Sequence, residues 1–333
     1  MSGVAAGRGS MRLAISLDYA APPRPQVEAT AALEDVGLDA VLVPEAYGLD
    51  GPTTLGYLAA RTRRVAIGPA VLPVHTRSAA LIAQTAAGLD SLSGGRAFLG
   101  LGVSGPAVVE GFHGVPFDAP LARLRGVVET CRGMWRREPP PGQALRPILA
   151  GPRPAIPVTL ATLRPGGVAL AAELADAWFP LFFAPEAPVF DGALARGARR
   201  RAPGLAPLET WVGAFVGVEG RAAAARAAAR EHIALYVGGM GPRERNFYTD
   251  VVGRMGWAAE AERIQDLFLA RRRGEAAAAV PEDMLDAFTL TGSPARVRAR
   301  LAALADAGVT TLVMRGPAST DPAHLEALRR LAP

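Results

Sequence analysis

Short apolar runs alternate along the chain with longer stretches whose apolar positions recur at helical spacing. RLAISLD, from Arg12, reads as a strand, and Gln26 to Val36 follows as a helix that ends at Gly37. LDAVLVP, from Leu38, is the next strand, with Thr53 to Arg61 as its helix. RVAIGPAVLP, from Arg64, precedes a long helix from Ser78 to about Leu92. RAFLGLG, from Arg96, is the fourth strand, and Leu121 to Arg136 its helix.

A Pro- and Gly-rich segment, Glu138 to Pro157, then interrupts the rhythm. It resumes with IPVTLAT from Ile156, the helix Val168 to Leu174, ADAWFPLF from Ala175, and a helix near Pro188 to Arg200. TWVGAFVGV from Thr210 leads into Ala222 to Tyr236 and a long helical insertion to about Phe288. The helix Ala295 to Ala307 and the strand TTLVMR from Thr310 complete the pattern.

Apolar runs of this kind, joined by helical crossovers, indicate a parallel sheet buried on both faces. Eight such units fit an α/β fold of the (β/α)8 TIM-barrel type, with the doubly wound sheet as the alternative that shares the alternation. No linker-like boundary appears, so residues 12–333 read as one barrel domain behind a disordered leader, residues 1–11. Insertions at about 138–157 and 238–290 are expected as lids over the C-terminal mouth.

Composition narrows the function. Among 333 residues half are hydrophobic and a fifth charged, the profile of a globular protein with a sizeable core. No apolar run reaches the ~18 residues of a membrane span, and no signal-peptide pattern opens the chain. Cys131 stands alone, which leaves no disulfide framework or thiolate zinc site and points to the cytoplasm. No H-E-x-x-H, C-x-x-C or paired-carboxylate cluster suggests a metal. Every basic residue is Arg, and without Lys neither a pyridoxal Schiff base nor a P-loop is available. The formal charge of +5 is spread among acidic residues, which argues against nucleic acid and for an anionic small molecule.

Gly100, Gly102 and Gly105 spell G-x-G-x-x-G after the fourth strand. A dinucleotide fingerprint belongs in the first β/α unit and opens a long helix. Here Gly111, Gly114 and Pro116 forbid that helix, and no acid ends the next strand. The glycines read better as a strand end at the mouth where a flat ring lies against bare backbone.

LDAVLVPEAYG, IGPAVLPVHTRSAALIAQTAAGLDSLSGGR, LGLGVSGPAVVEGFHGVPF and HIALYVGGMGPRERNFYTDVV together resemble the luciferase-like oxidoreductase superfamily. Within it they are similar to the deazaflavin-dependent branch related to methylenetetrahydromethanopterin reductase. The resemblance runs from about Arg12 to Met314. It implies a (β/α)8 barrel, coenzyme F420 at the C-terminal mouth, hydride transfer through the deazaflavin C5, and a homodimer. FMN with oxygen chemistry is the alternative cofactor reading, and a non-catalytic cofactor-binding relative is a third.

The resemblance also assigns residues. Glu45 would border the deazaflavin, unless it is only the acid of the next helix start, and Tyr47 would line the substrate pocket. His75 is a candidate proton donor, with packing as the alternative, and His113 a loop residue of the cleft. Pro69, Ala70 and Val71 match a non-proline cis peptide that backs the ring, with Gly102, Val103 and Ser104 beside it. Leu163, Arg164, Gly166 and Gly167 match the phosphate turn, where Arg164 stands in for a usual Lys. Related sugar-phosphate dehydrogenases carry a His and a Glu where this chain has Ala46 and Val103. Related methanopterin reductases have a Glu near Ser16, with Asp18 close by here. These departures point to a reductase with another substrate. Arg245 and Phe247, in GPRERNFYTD, would begin a substrate lid, or else a helix start with aromatic core anchors.

Overall fold

The computed structural model describes residues 10–149, 153–241, 243 and 246–333. Its strands are β1 (Arg12–Ser16), β2 (Ala40–Val43), β3 (Ala66–Pro69), β4 (Leu72–Pro73), β5 (Leu99–Gly102), β6 (Val158–Ala161), β7 (Ala177–Trp178), β8 (Glu209–Val218), β9 (Thr289–Gly292) and β10 (Val309–Arg315). The helices of the first half are α1 (Pro23–Leu33), α2 (Gly51–Arg61), α3 (Ala79–Leu92), α4 (Pro106–Val109), α5 (Pro120–Trp135), α6 (Pro165–Leu174) and α7 (Asp191–Ala198). Those of the second half are α8 (Ala222–Gly239), α9 (Phe247–Val252), α10 (Ala258–Leu269), α11 (Arg273–Ala278), α12 (Glu282–Phe288), α13 (Pro294–Asp306) and α14 (Pro322–Arg329).

All strands pair in parallel, in the order β3-β2-β1-β10-β8-β7-β6-β5-β4. The ring closes because β3 and β4 are two halves of one strand: β3 pairs with β2, β4 pairs with β5, and Ile67 bridges Ala97. This is the expected TIM-type barrel. The break in that strand falls at a cis peptide between Ala70 and Val71. An additional short strand, β9, extends β8 beyond the barrel by pairing Phe215 to Val218 with Thr289 to Gly292.

Inside the ring, Phe98 and Trp211 meet edge to face at 5.0 Å, among Ala14, Ala40, Ala177 and Val313. The bulk of this layer fills the middle of the barrel. Below it Arg12 donates to Thr311 at 3.1 Å and pairs with Glu209, which also accepts from the Trp211 indole at 2.8 Å. The strands' outer faces bury aliphatic side chains against the helices in two large clusters. Side-chain caps define several helix starts: Asp50 accepts from Thr53 N–H at 2.8 Å and Ser78 from Leu81 N–H at 3.1 Å.

Three expectations change. The glycines of β5 face no open space: a β-carbon on Gly102 would lie 2.7 Å from Val71 Cγ2. The neighbouring strand's break fills the room that a flat ring was expected to occupy. The segment after α5 is not a lid over the mouth. Pro140, Gln143, Leu145 and Arg146 lie outside the barrel along α3 and α5, lining a groove with Arg77, Ala80, Arg123 and Gly126. Nearer β6, Arg153 holds the buried Asp90 at 2.7 Å and donates to Ala97 O at 2.8 Å. Of the leader, residues 1–9 lie outside the described residues, while Met11 is core and its N–H donates to Pro333 O at 3.3 Å.

Candidate active site

The C-terminal ends of parallel strands carry the function of barrels because their loops converge there. Glu45 follows β2 directly and its side chain is 6% exposed. Oε2 accepts from Gly51 N–H at 2.8 Å, at the start of α2, and from Arg77 Nη2 at 2.9 Å, while Arg77 Nη1 donates to Oε1. Arg77 also bonds Asp50 Oδ1 at 2.6 Å. Both carboxylate oxygens are therefore engaged within the protein. Glu45 is built as the acid of a helix start that also fixes Arg77, and it is not a free acid or base.

His75 is buried and its Nε2 lies 3.1 Å from the Asp118 carbonyl, so this nitrogen donates. The ring lies 4.9 Å from Phe117, and its Nδ1 is buried without a partner. His75 thus pins the 113–118 loop to the third strand. His113 stands in that loop against Phe112 at 5.0 Å, also with an unpartnered buried nitrogen, Nε2. Val103 and Ser104 follow β5, and Ser104 adopts a left-handed backbone with φ +59°.

Across the mouth, the hydroxyls of Tyr19 and Tyr47 lie 3.3 Å apart. Burial, then the bond to Tyr47, raises the Tyr19 pKa above the ordinary phenol value. Asp18 is turned to its own loop, its Oδ1 accepting from Ala20 N–H at 2.9 Å.

The turn from β6 to α6 places Leu163 in the core and leaves Arg164 exposed, with no ion pair among the described residues. No side chain caps α6. Its first N–H groups belong to Gly166 and Gly167, because Pro165 has none. Beside them Thr162 Oγ1 is buried without a hydrogen bond, and the Gly167 Cα faces the Thr162 side chain closely enough that a β-carbon would sit 2.9 Å from its Cβ.

The part of the site that the chain pattern did not expose lies at the end of the last strand. Val313 faces the barrel interior, and the period of two puts Arg315 on the same side, one layer nearer the mouth. Arg315 passes over Gly213 and lies 5.9 Å from the Phe179 ring centroid. Its Nη1 donates to His232 Nε2 at 2.8 Å. Burial lowers the Arg315 pKa, and the Tyr236 and Tyr248 hydroxyls oppose that shift. Burial and the Arg315 charge together push His232 well below the usual histidine range, so it is neutral. His232 lies on the Ala-rich helix α8. Its signal was absent because the partner is 83 residues away in sequence.

The insertion after α8 serves this cluster. Tyr236 lies 4.5 Å from His232 and 5.0 Å from Tyr248, which itself lies 4.2 Å from Phe247. Asn246 caps α9 and donates to Tyr236 O at 3.0 Å and Val237 O at 2.7 Å, which fixes the two helices together. Phe247 and Tyr248 are packed anchors of a helix start. Arg245 lies outside the described residues. No group of three or more His, Cys, Asp or Glu among the described residues is placed to hold a metal ion, and no helix there is long and apolar enough to cross a membrane.

The chain is similar to known proteins in sequence and in fold. A Mycobacterium tuberculosis protein assigned as coenzyme F420-dependent oxidoreductase Rv3520c is 37% identical over 96% of this chain and 99% of its own. The 5,10-methylenetetrahydromethanopterin reductase of Archaeoglobus fulgidus is 29% identical over 86% of this chain and 88% of its own. The solved structure of coenzyme F420-dependent tetrahydromethanopterin reductase from Methanopyrus kandleri has the same fold, with a TM-score of 0.78 at 22% identity, covering 97% of this chain and 98% of that one. Residues 6–311 match the model of the family described as luciferase-like monooxygenase, and with a match across nearly the whole barrel the chain belongs to that family.

Proposed function

We propose that this chain is a coenzyme F420-dependent reductase that works on a small-molecule substrate at the barrel mouth. The observation that carries the reading is the start of α6. An uncapped helix N-terminus, an orphaned buried hydroxyl at Thr162 and an unpaired Arg164 converge there, a donor set that fits a phosphate. The residues present thus suit the phosphate-bearing cofactor of the relatives. When bound, the deazaflavin supplies a hydride from C5.

The chain's own groups then divide the remaining work. Thr162 Oγ1, the Gly166 N–H and Arg164 hold the phosphate. Leu163 and Gly167 shape the turn from below, while Val103 and Ser104 with Pro69, Ala70 and Val71 form the wall behind the ring, and Gly102 makes room for Val71. Glu45 orients Arg77 and the start of α2. Tyr19, whose pKa burial raises, keeps its phenolic proton at neutral pH, and its hydroxyl pairs with that of Tyr47 at the mouth. Phe247 and Tyr248 exclude water from the side of α8. His75 holds the 113–118 loop through its Nε2 proton, with His113 on that loop.

The proposal includes a homodimer in the cytoplasm. Sedimentation at high concentration tests the dimer, and a mass near 34.6 kDa would refute it. The cofactor is tested by titrating the purified protein with F420 and with FMN. F420 should bind in the micromolar range or tighter. Binding of FMN alone would overturn the reading in favour of oxygen chemistry, and binding of neither would leave a non-catalytic relative.

A further inference from the structure

Arg315 stands out from the other buried or half-buried cations at this end of the barrel because it pairs with no carboxylate among the described residues. Arg77 is neutralised by Glu45 and Asp50, whereas Arg315 has no ion pair among the described residues. Its Nε is buried with no hydrogen-bond partner, and among the described residues Nη2 has no recorded hydrogen bond either. The neighbours are a neutral histidine and the rings of Phe179, Phe215, Tyr236 and Tyr248. A buried charge without a counter-ion is expensive to keep. The local sequence accepts that cost with care: Gly213 omits the side chain that would collide with the guanidinium, since a β-carbon there would lie 3.1 Å from Nε.

A single uncompensated positive charge calls for a single negative one. A dianionic phosphate would need further cations, and the cluster has none. A carboxylate matches both the charge and the planar donor edge of a guanidinium. The surrounding rings suit a flat, unsaturated body attached to that carboxylate. We propose that Arg315 is a substrate-binding residue that receives the carboxylate of a planar, unsaturated organic acid at the barrel mouth. The phenols of Tyr236 and Tyr248 supply additional donors to the same group, and His232 holds the guanidinium in place through Nη1. This assignment rests on the reading of the mouth as the substrate chamber.

Sodium benzoate is the probe. Isothermal titration into the apo and F420-loaded protein at fixed ionic strength compares the wild type with Arg315→Met and Arg315→Lys. Benzoate should bind the wild type, lose about tenfold or more of its affinity in Arg315→Met, and retain part of it in Arg315→Lys. Benzyl alcohol should not distinguish the three. Arg315→Met should melt at or above the wild-type temperature, because it removes the unpaired charge and keeps an apolar stem. Should it fail to fold, the comparison of Arg315→Lys with the wild type carries the test alone. No benzoate binding to the wild type, or equal binding to every variant, would overturn the proposal. A loss of F420 affinity in either variant would also overturn it and assign Arg315 to the cofactor. Failure of F420 to bind the wild type while benzoate binds as expected would instead refute the cofactor reading.

Discussion

A β-carbon on Gly100 would lie 1.9 Å from the carbonyl oxygen of Pro69. No side chain survives that approach, so Gly100 and the break in the neighbouring strand require each other. Gly100→Ala should destabilise the protein by about 3 kcal/mol or more, because strand backbone and not a flexible side chain must yield. Gly88 and Gly126, on α3 and α5, have open space around them. Their alanine variants should be neutral or more stable by about 0.5–1 kcal/mol. Urea midpoints for the three variants make the comparison, and equal shifts would contradict the close approach.

The pair of Glu45 and Arg77 is the second test. With side chains 6% and 15% exposed, removing Arg77 leaves the Glu45 carboxylate buried without its cation, whereas Arg77 keeps Asp50 when Glu45 is removed. Arg77→Ala should cost about 3–5 kcal/mol, and the replacement of both by Met much less than the sum of the single changes. A double-mutant cycle in urea measures the coupling. Free carboxylate chemistry at Glu45 would instead show as lost turnover with unchanged stability.

The barrel was legible because its cause is local: each buried strand is a run of apolar residues and several helices carry their own caps. Ser78 and the long helix to Leu92 could be read from the chain, and so could Gly37 with its φ of +88°. What failed to show depends on partners distant in sequence. Nothing in IGPAVLP marks where one strand breaks into two. TLTG, which forms β9, is too short to separate from the end of α12. That the segment after α5 starts from the strands' N-terminal end could have been read, since a helix returning from one parallel strand ends there; that it then turns back along α3 and α5 could not. Arg315 was visible as the last residue of TTLVMR, but which face it takes is set by the closure of the ring.

The phosphate turn offers a third test. Gly167 is buried against Thr162, so its replacement mixes packing with binding. Arg164 is exposed and has no ion pair among the described residues, so changing it leaves the fold alone. Arg164→Glu should weaken F420 binding by about tenfold through loss of a charge-assisted bond and like-charge repulsion. The melting temperature should stay within experimental error. Fluorescence titration of the bound deazaflavin reads the first quantity, and unchanged affinity would move the phosphate elsewhere.

The neutral His232 gives the fourth. Its folded pKa lies well below 6.5 because of burial and the adjacent Arg315 charge. Below the unfolded value the unfolded chain therefore binds a proton that the native protein does not. Stability is complete above about pH 6.5 and falls as pH drops toward the folded value, by up to about 1.4 kcal/mol per pH unit for one such group. His324, whose pKa burial also lowers, adds to the same slope. The carboxylates whose pKa values are lowered here, among them Asp50 and Asp286, begin to lose their contribution only nearer the ordinary carboxylate range. The interval from pH 6.5 to 5 thus isolates the histidines. Urea midpoints across it should decline in the wild type and decline less steeply in His232→Gln, whose amide oxygen can still accept from Arg315. Identical slopes in the two proteins would mean that His232 takes up its proton within the folded site.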